Sequence, residues 1–261
     1  MKDPHVVRLN YKVRPGENVQ FQQPPAVEWP TAEGTVKVDC EQASIELINH
    51  YSNEKDARAA VEPHLVAWEI WAGLTSRDDQ RPFRFEFRKA ELVDRAPMPN
   101  QAPSAQFRGT VTIPQSVALS RRLTSYPSPP QAFSASDEVQ NMWYRWEQYR
   151  SNRETLPSVA YYCLTALEHH VGGGGRGTRV QAGAMFKIDV AVLNELGNLV
   201  SEYGSDEEAR KAHRRHRRPY TEAERRWMED LIKQVIQRVG EANANPSGSF
   251  NLLNMASLPT K

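Results

Sequence analysis

The residues best suited to chemistry are gathered in one short basic stretch, RKAHRRHRR, at residues 210–218. Six of its nine residues are Arg or Lys and two are His, in a chain whose formal net charge is only +1. Clustered Arg and Lys side chains neutralise phosphate groups, and an imidazole exchanges protons near neutral pH. The stretch therefore predicts either contact with an anionic ligand or acid–base chemistry on such a ligand.

The basicity is local rather than a property of the whole chain. Without the six cations of residues 210–218 the formal charge falls from +1 to −5, since each of them contributes one positive charge. Asp206 precedes Arg210 by four residues and Glu207 precedes Lys211 by four, a spacing that forms ion pairs on a helix. The cations left without such an anion are Arg214, Arg215, Arg217 and Arg218. Their partner is either nucleic acid or an acidic protein surface, in the same fold or on another subunit.

The order of Arg and His in this stretch resembles that of the HEPN superfamily (higher eukaryotes and prokaryotes nucleotide-binding). Active members of that superfamily are helical bundles that act as metal-independent ribonucleases and carry an R-x4-6-H motif before the last long helix. Here five residues separate Arg210 from His216, which fits the motif. The resemblance covers only the C-terminal half. It implies that Arg210 stabilises the charged phosphate in the transition state, that His216 is the acid or base, and that the site forms in a homodimer.

The remaining basic and imidazole side chains are the predicted nucleic-acid contacts, and we expect neither a metal nor another cofactor. His213 and His216 have a spacing that can chelate a metal, but the guanidinium groups beside them oppose a divalent cation. The predicted contacts are Lys211, His213, Arg214, Arg215, Arg217 and Arg218.

The sequence around the basic stretch predicts an α-helical bundle. The stretch itself predicts a short helix, because Ser205 and Glu208 match a capping box and Pro219 prevents continuation. A long helix follows, with a second capping box at Thr221 and Glu224 and an apolar stripe. The stripe comprises Trp227, Met228, Leu231, Ile232, Val235, Ile236 and Val239. Three further helices are predicted upstream, in SASDEVQNMWYRWEQYR, LPSVAYYCLTALEHHV and IDVAVLNELGNLVSEYG.

The N-terminal half has a hydrophobic period of two rather than 3.6. Alternating apolar residues predict strands at VVRLNYKV, TVKVDC, FRFEFRKAELV and QFRGTVTI. Between the second and third strands Asn53 is a candidate helix cap, and apolar residues then recur at helical spacing. These residues are Ala57, Val61, Leu65 and Trp68. The predicted fold class is therefore α+β, with a small N-terminal sheet and a helix followed by a C-terminal α-helical bundle.

Proline-rich segments and composition predict the domain organisation. We expect an α+β domain at 1–125, a Pro-rich linker at 126–134, the bundle at 135–240 and a flexible tail at 241–261. No apolar run approaches the roughly 20 residues of a membrane-spanning helix, and the N-terminus lacks a signal-peptide pattern. We therefore expect a cytoplasmic protein with no membrane partner.

These observations leave three functions open. The first is an adaptor-like interaction protein that binds RNA or DNA through residues 210–218. The second, implied by the HEPN resemblance, is a metal-independent ribonuclease that uses Arg210 and His216. The third is a structural subunit of a larger assembly, in which the basic stretch meets the acidic face of a protein partner.

Overall fold

The protein is described by a computed structural model over residues 3–76, 81–95, 121–173, 177–205 and 218–261. The predicted strand QFRGTVTI and the predicted short basic helix lie outside these ranges. The chain divides into two compact units, the first formed by residues 1–72 and 81–129 and the second by residues 73–80 and 130–261. The main division, between residues 129 and 130, falls inside the segment in which sequence patterns predict a linker.

Among the residues that the structure describes, the first unit is built on an antiparallel sheet of five strands. Its strands are β1 (Pro4–Pro15), β3 (Val27–Pro30), β4 (Gly34–Asp39), β5 (Gln42–Leu47) and β6 (Phe83–Asp94), and a separate parallel pair joins β2 (Val19–Phe21) to β7 (Arg121–Leu123). The order across the sheet is β3-β4-β5-β1-β6. β1 and β6 each have 12 residues and pair along their whole lengths. Pro4 lies opposite Asp94 at one end of the pair, and Pro15 lies opposite Phe83 at the other.

Helix α1 (Glu54–Thr75) covers one face of this sheet. Asn53 caps it through a side-chain oxygen that accepts from a first-turn N–H at 2.9 Å, as its position in the sequence predicts. Trp68 is at the centre of the core, where its ring meets Phe83 edge-on and its Nε1 donates to the carbonyl oxygen of Pro127 at 2.9 Å. The predicted core positions are all buried, namely Ala57, Val61, Leu65 and Trp68.

The opposite face of the sheet carries charged side chains in cross-strand ion pairs. Arg8 of β1 pairs with Glu46 of β5 at 2.9 Å and with Glu91 of β6 at 3.5 Å. Arg14 pairs with Glu86 on the same face. Opposite charges placed across neighbouring strands stabilise the pairing register, so strand pairing is sufficient to explain why these positions are charged.

The second unit is a helical bundle. Its helices within the described ranges are α2 (Asp137–Arg150), α3 (Leu156–His170), α4 (Thr178–Phe186), α5 (Val190–Glu202) and α6 (Glu222–Ala244). α3 packs against each of the other four, and the seven residues of the predicted apolar stripe on α6 have no exposed surface. The predicted α+β fold class is confirmed, although α4 was not among the predicted helices. Within the described ranges, no helix has the length and apolarity needed to cross a membrane.

The residues after α6 return to the bundle. Sequence patterns predict a flexible tail from residue 241, whereas in the structure α6 continues to Ala244 and the following chain packs against its own unit. Leu253 forms a parallel bridge with Ile188 and is 2% exposed. Arg238 Nη2 donates to the carbonyl oxygen of Asn251 at 2.6 Å. The tail is therefore held by both backbone and side-chain contacts.

Candidate nucleic-acid interface

In the sequence the basic stretch lies between α5 and α6, and the structure describes the chain before residue 206 and from residue 218 onwards. α5 is capped by Asp189 and ends at Glu202, after which Gly204 has a φ of 113°, in the left-handed region that favours glycine. Gly204 N–H donates to the carbonyl oxygen of Arg218 at 3.0 Å. Residues 206–217 lie between these two positions and outside the described ranges. The backbone positions on the two sides of residues 206–217 are therefore adjacent.

Tyr220 fastens the returning chain to the end of α5. Its side chain is buried, and its hydroxyl lies 3.1 Å from the carbonyl oxygens of both Leu199 and Tyr203, to which it donates. The last carbonyl groups of a helix need donors from outside the helix. Tyr220 supplies such a donor and at the same time fixes the chain that leads into α6.

Arg218, the last cation of the basic stretch, is held by Glu224 of α6. Nη1 of Arg218 donates to Oε2 at 2.8 Å and Nη2 donates to Oε1 at 2.7 Å, a bidentate arrangement. The guanidinium carbon also lies 4.4 Å from the ring centroid of Tyr203, and Nη1 donates to the carbonyl oxygen of Pro219. The Arg218 side chain is 42% exposed, yet a carboxylate of its own chain already neutralises its charge.

Glu224 also completes the capping box predicted from the sequence. Thr221 Oγ1 accepts from the Glu224 N–H at 3.1 Å, and Glu224 Oε2 accepts from the Thr221 N–H at 2.8 Å. The hydrogen bond from Arg218 lowers the pKa of Glu224 to about 2, with help from Thr221 and against the opposing effect of burial. Glu224 is therefore ionised at neutral pH. We call these residues the Arg218 clamp: Tyr203, Gly204, Arg218, Tyr220 and Glu224.

The predicted site residues other than Arg218 lie outside the described ranges. They are the catalytic candidates Arg210 and His216 and the contact candidates Lys211, His213, Arg214, Arg215 and Arg217. Their assembly into a site, and with it the HEPN resemblance, stays a prediction. Arg218 differs, because Glu224 is an internal acidic partner of the kind that the sequence left open as the alternative to nucleic acid.

Sequence reasoning missed the two tyrosines of the clamp and the second role of Glu224. Tyr203 and Tyr220 bracket the basic stretch, and an aromatic ring at each end of an Arg-rich segment is a usable signal for guanidinium stacking. Glu224 was identified only as a capping residue. Its pair with Arg218 spans six residues and a proline, so helical periodicity gives no indication of it.

A polar cavity of about 470 Å³ lies at the start of α4 in the same unit. Arg179 lines it, donating through Nε to Glu168 at 2.7 Å and through Nη1 to Asn194 at 3.3 Å. The Glu168 carboxylate neutralises the Arg179 guanidinium, so the charge of this arginine has a partner within its own unit. In the part of the chain that the structure describes, no group of three His, Cys, Asp or Glu side chains could hold a metal.

No protein-family model matches the chain, and neither the curated proteins nor the solved structures compared with it gave a match.

Proposed function

We propose that this protein is an adaptor-like interaction module that binds nucleic acid through the cations of residues 210–217. The Arg218 clamp attaches the end of this segment to the bundle. The supporting observation is the state of the carboxylates in the first turn of α6. Glu224 pairs with Arg218 at 2.7 Å and Glu222 pairs with Arg226 at 3.0 Å. Glu222 and Glu224, the first two acidic residues after the basic stretch, are therefore each already in an ion pair.

The charge of the segment itself favours an anionic partner. Residues 206–217 contain five Arg or Lys and three carboxylates, besides two His. A phosphate backbone offers repeated anions, and binding to it releases counterions. Because Gly204 and Arg218 are fixed next to each other, the chain between them has less conformational freedom to lose on binding than a free end would have. The cytoplasmic location predicted from the sequence belongs to this proposal.

The salt dependence of RNA binding tests the proposal. The affinity of the full chain for a single-stranded RNA of mixed sequence is measured by fluorescence anisotropy between about 50 and 200 mM salt. We expect log affinity to fall linearly with log salt, at about −0.7 per neutralised phosphate. The variant with Arg214→Gln, Arg215→Gln and Arg217→Gln should bind more weakly and with a shallower slope, because it forms fewer phosphate contacts.

A control with the same change in net charge isolates the position of the cations. Arg14→Gln, Lys37→Gln and Arg88→Gln remove three cations from exposed ion pairs of the first unit, where the side chains are 45% to 52% exposed. This control variant should keep the affinity and slope of the wild type. Equal weakening in both triple variants would show that only net charge matters, and an absence of wild-type RNA binding would overturn the proposal.

The same samples separate the other two functions. Cleavage of the RNA that persists in EDTA and disappears in Arg210→Ala and His216→Ala would favour the HEPN-like ribonuclease over a non-catalytic binder. RNA affinity that is identical in the wild type and the basic-stretch variant, together with loss of an assembly in that variant, would favour the structural subunit.

A further inference from the structure

We infer that the stacked imidazoles of His5 and His50 form an acid-released latch in the first unit. At neutral pH the latch holds the start of β1 against the segment between β5 and α1, and protonation of His5 opens it. The latch belongs to a different unit from the basic stretch, so its test is independent of the proposed function.

His5 is a buried imidazole with an unpaired nitrogen. It lies opposite Val93 in the register of β1 and β6 and is only 3% exposed. Among the described residues its Nδ1 has no hydrogen-bond partner. Packing alone does not account for an imidazole here, because an apolar aromatic ring would fill similar space without leaving a polar atom unpaired. The property that distinguishes imidazole from such a ring is that it takes up a proton near neutral pH.

The ring of His50 covers this imidazole. The two ring centroids lie 5.0 Å apart and the ring planes are inclined by 17°, so the rings are stacked. His50 belongs to the segment between β5 and α1 and is itself 45% exposed, so the stack lies at the surface of the unit. The carbonyl oxygen of Tyr51 accepts from the Val6 N–H at 2.9 Å, and the Tyr51 hydroxyl donates to Glu33. The stack and the bond to Val6 together attach the segment to β1.

The surroundings of His5 oppose its protonation. Burial is the largest effect, followed by the charges of Arg95 and of protonated His50, and together they lower the pKa of His5 below its ordinary value of 6.5 against the weaker effect of Asp3. Asp3 Oδ1 lies 3.7 Å from His50 Nε2, with which it forms an ion pair when that ring is protonated. Asp94, another carboxylate at this end of the sheet, accepts from the Asp3 N–H at 3.0 Å. A proton on His5 therefore places a second cation beneath His50 and near Arg95.

The sign of the pH dependence follows from the lowered pKa of His5. An opened strand end binds the proton more readily than the closed one, so the latch is at full strength above pH 6.5 and weakens as pH falls below it. Opening is local because β1 begins at Pro4, one residue before His5, and strand ends open at lower free energy than the centre of a sheet. The competing explanation is that His5 takes up a proton only when the whole unit unfolds.

Amide hydrogen exchange of the full chain between about pH 7.5 and 5, corrected for intrinsic exchange rates, tests the latch. The Val6 N–H reports opening, because its acceptor is the carbonyl oxygen of Tyr51. Its protection factor should fall by up to about tenfold per pH unit below 6.5, since opening takes up one proton. Ile45, which pairs with strands on both sides, should stay better protected than Val6 throughout.

Two variants separate the latch from a general effect of acid. His5→Phe keeps an aromatic ring against His50 but cannot take up a proton, so the fall in Val6 protection should disappear. His64→Gln is the matched control, because it removes an imidazole from α1 of the same unit and leaves the stack intact. This variant should keep the wild-type response.

Three results would overturn the latch. The first is a Val6 protection factor that does not change with pH in the wild type, and the second is a wild-type response in His5→Phe. The third is equal protection of Val6 and Ile45 at low pH, which would show that acid unfolds the whole unit. If His5→Phe does not fold, His50→Gln replaces it: loss of the covering ring should make the response smaller, and an unchanged response would equally contradict the latch.

Discussion

Each unit contains an Arg–Glu pair that joins a helix to a neighbouring segment. The pKa values of the two glutamates shift in opposite directions. Glu69 of α1 accepts from Arg81 Nη1 at 2.7 Å and from the Phe85 N–H at 2.7 Å. Glu224 of α6 accepts from Arg218. Burial is the largest effect on Glu69 and raises its pKa, whereas the hydrogen bond from Arg218 is the largest effect on Glu224 and lowers its pKa.

The difference follows from access to water. The side chains of Arg81 and Glu69 are 16% and 6% exposed, whereas that of Arg218 is 42% exposed. A pair that is buried on both sides gives up the hydration of both ions, so that the loss of one partner leaves an uncompensated charge. A pair with one partner in water opens at a lower cost. The first pair is therefore a fixed junction in the core, and the second is a junction at the surface of its unit.

Removal of Glu69 should have the largest effect on stability. Glu69→Ala takes the carboxylate away from the Arg81 guanidinium and the Phe85 N–H, so we expect the free energy of unfolding to fall by about 3 to 5 kcal/mol. Urea denaturation followed by circular dichroism measures this change. Glu54→Gln, which affects the exposed Glu54–Arg58 pair of the same helix, should cost about 0.5 kcal/mol or less. Equal losses in the two variants would show that burial does not distinguish them.

Loss of the charge on Glu224 should have an intermediate effect. Glu224→Gln weakens the bonds from Arg218 and from the Thr221 N–H but keeps the shape of the side chain, so the free energy of unfolding should fall by about 1 to 2 kcal/mol. The same denaturation experiment measures it. A loss as large as that of Glu69→Ala would mean that the clamp is as essential to the fold as the buried pair.

The acid dependence of the clamp is the next smaller effect. The pKa of Glu224 is about 2 in the folded chain and has the ordinary value of 4.5 in the unfolded chain. The stability that the ionised Glu224 contributes is therefore fully present above pH 4.5 and is lost as pH falls towards 2. Glu69 has a pH dependence of opposite sign, because burial raises its pKa and protonation therefore favours the folded chain. The stability difference between the wild type and Glu224→Gln should therefore shrink over this range in pH-dependent urea denaturation. A constant difference would contradict the pairing of Glu224 with Arg218.

The cations beyond the clamp should have the smallest effect on stability. The triple variant Arg214→Gln, Arg215→Gln and Arg217→Gln should change the free energy of unfolding by less than about 0.5 kcal/mol even though its RNA affinity falls, because the proposed function gives these cations a partner outside the protein. Thermal and urea unfolding of the variant measure this. A loss above about 1 kcal/mol would indicate that these residues pair with acidic groups of the protein, as Arg218 does.

Elements with strong local signals were predictable, and weakly patterned ones were not. The α6 stripe and its capping box combine a long 3.6-residue period with a defined start, so the helix was identified from sequence. Strand β5 was missed because only Ala43 and Ile45 of its six residues are buried. α4 was missed because its nine residues have no side-chain cap and bury chiefly small residues, Ala182 and Gly183, beside Phe186. These two elements depend on the neighbours that pack against them.

The sequence by itself determined the α+β fold class, the helix caps at Asn53 and Thr221, and the concentration of cations before α6. Each of these depends on residues a few positions apart, for which spacing and side-chain chemistry are sufficient. Only the tertiary structure decided that Glu224 neutralises Arg218 and that Tyr220 binds a carbonyl 21 residues upstream. It also decided the opposite pKa shifts of the two glutamates, because hydration, and hence the balance between burial and hydrogen bonding, is set by segments that folding brings together.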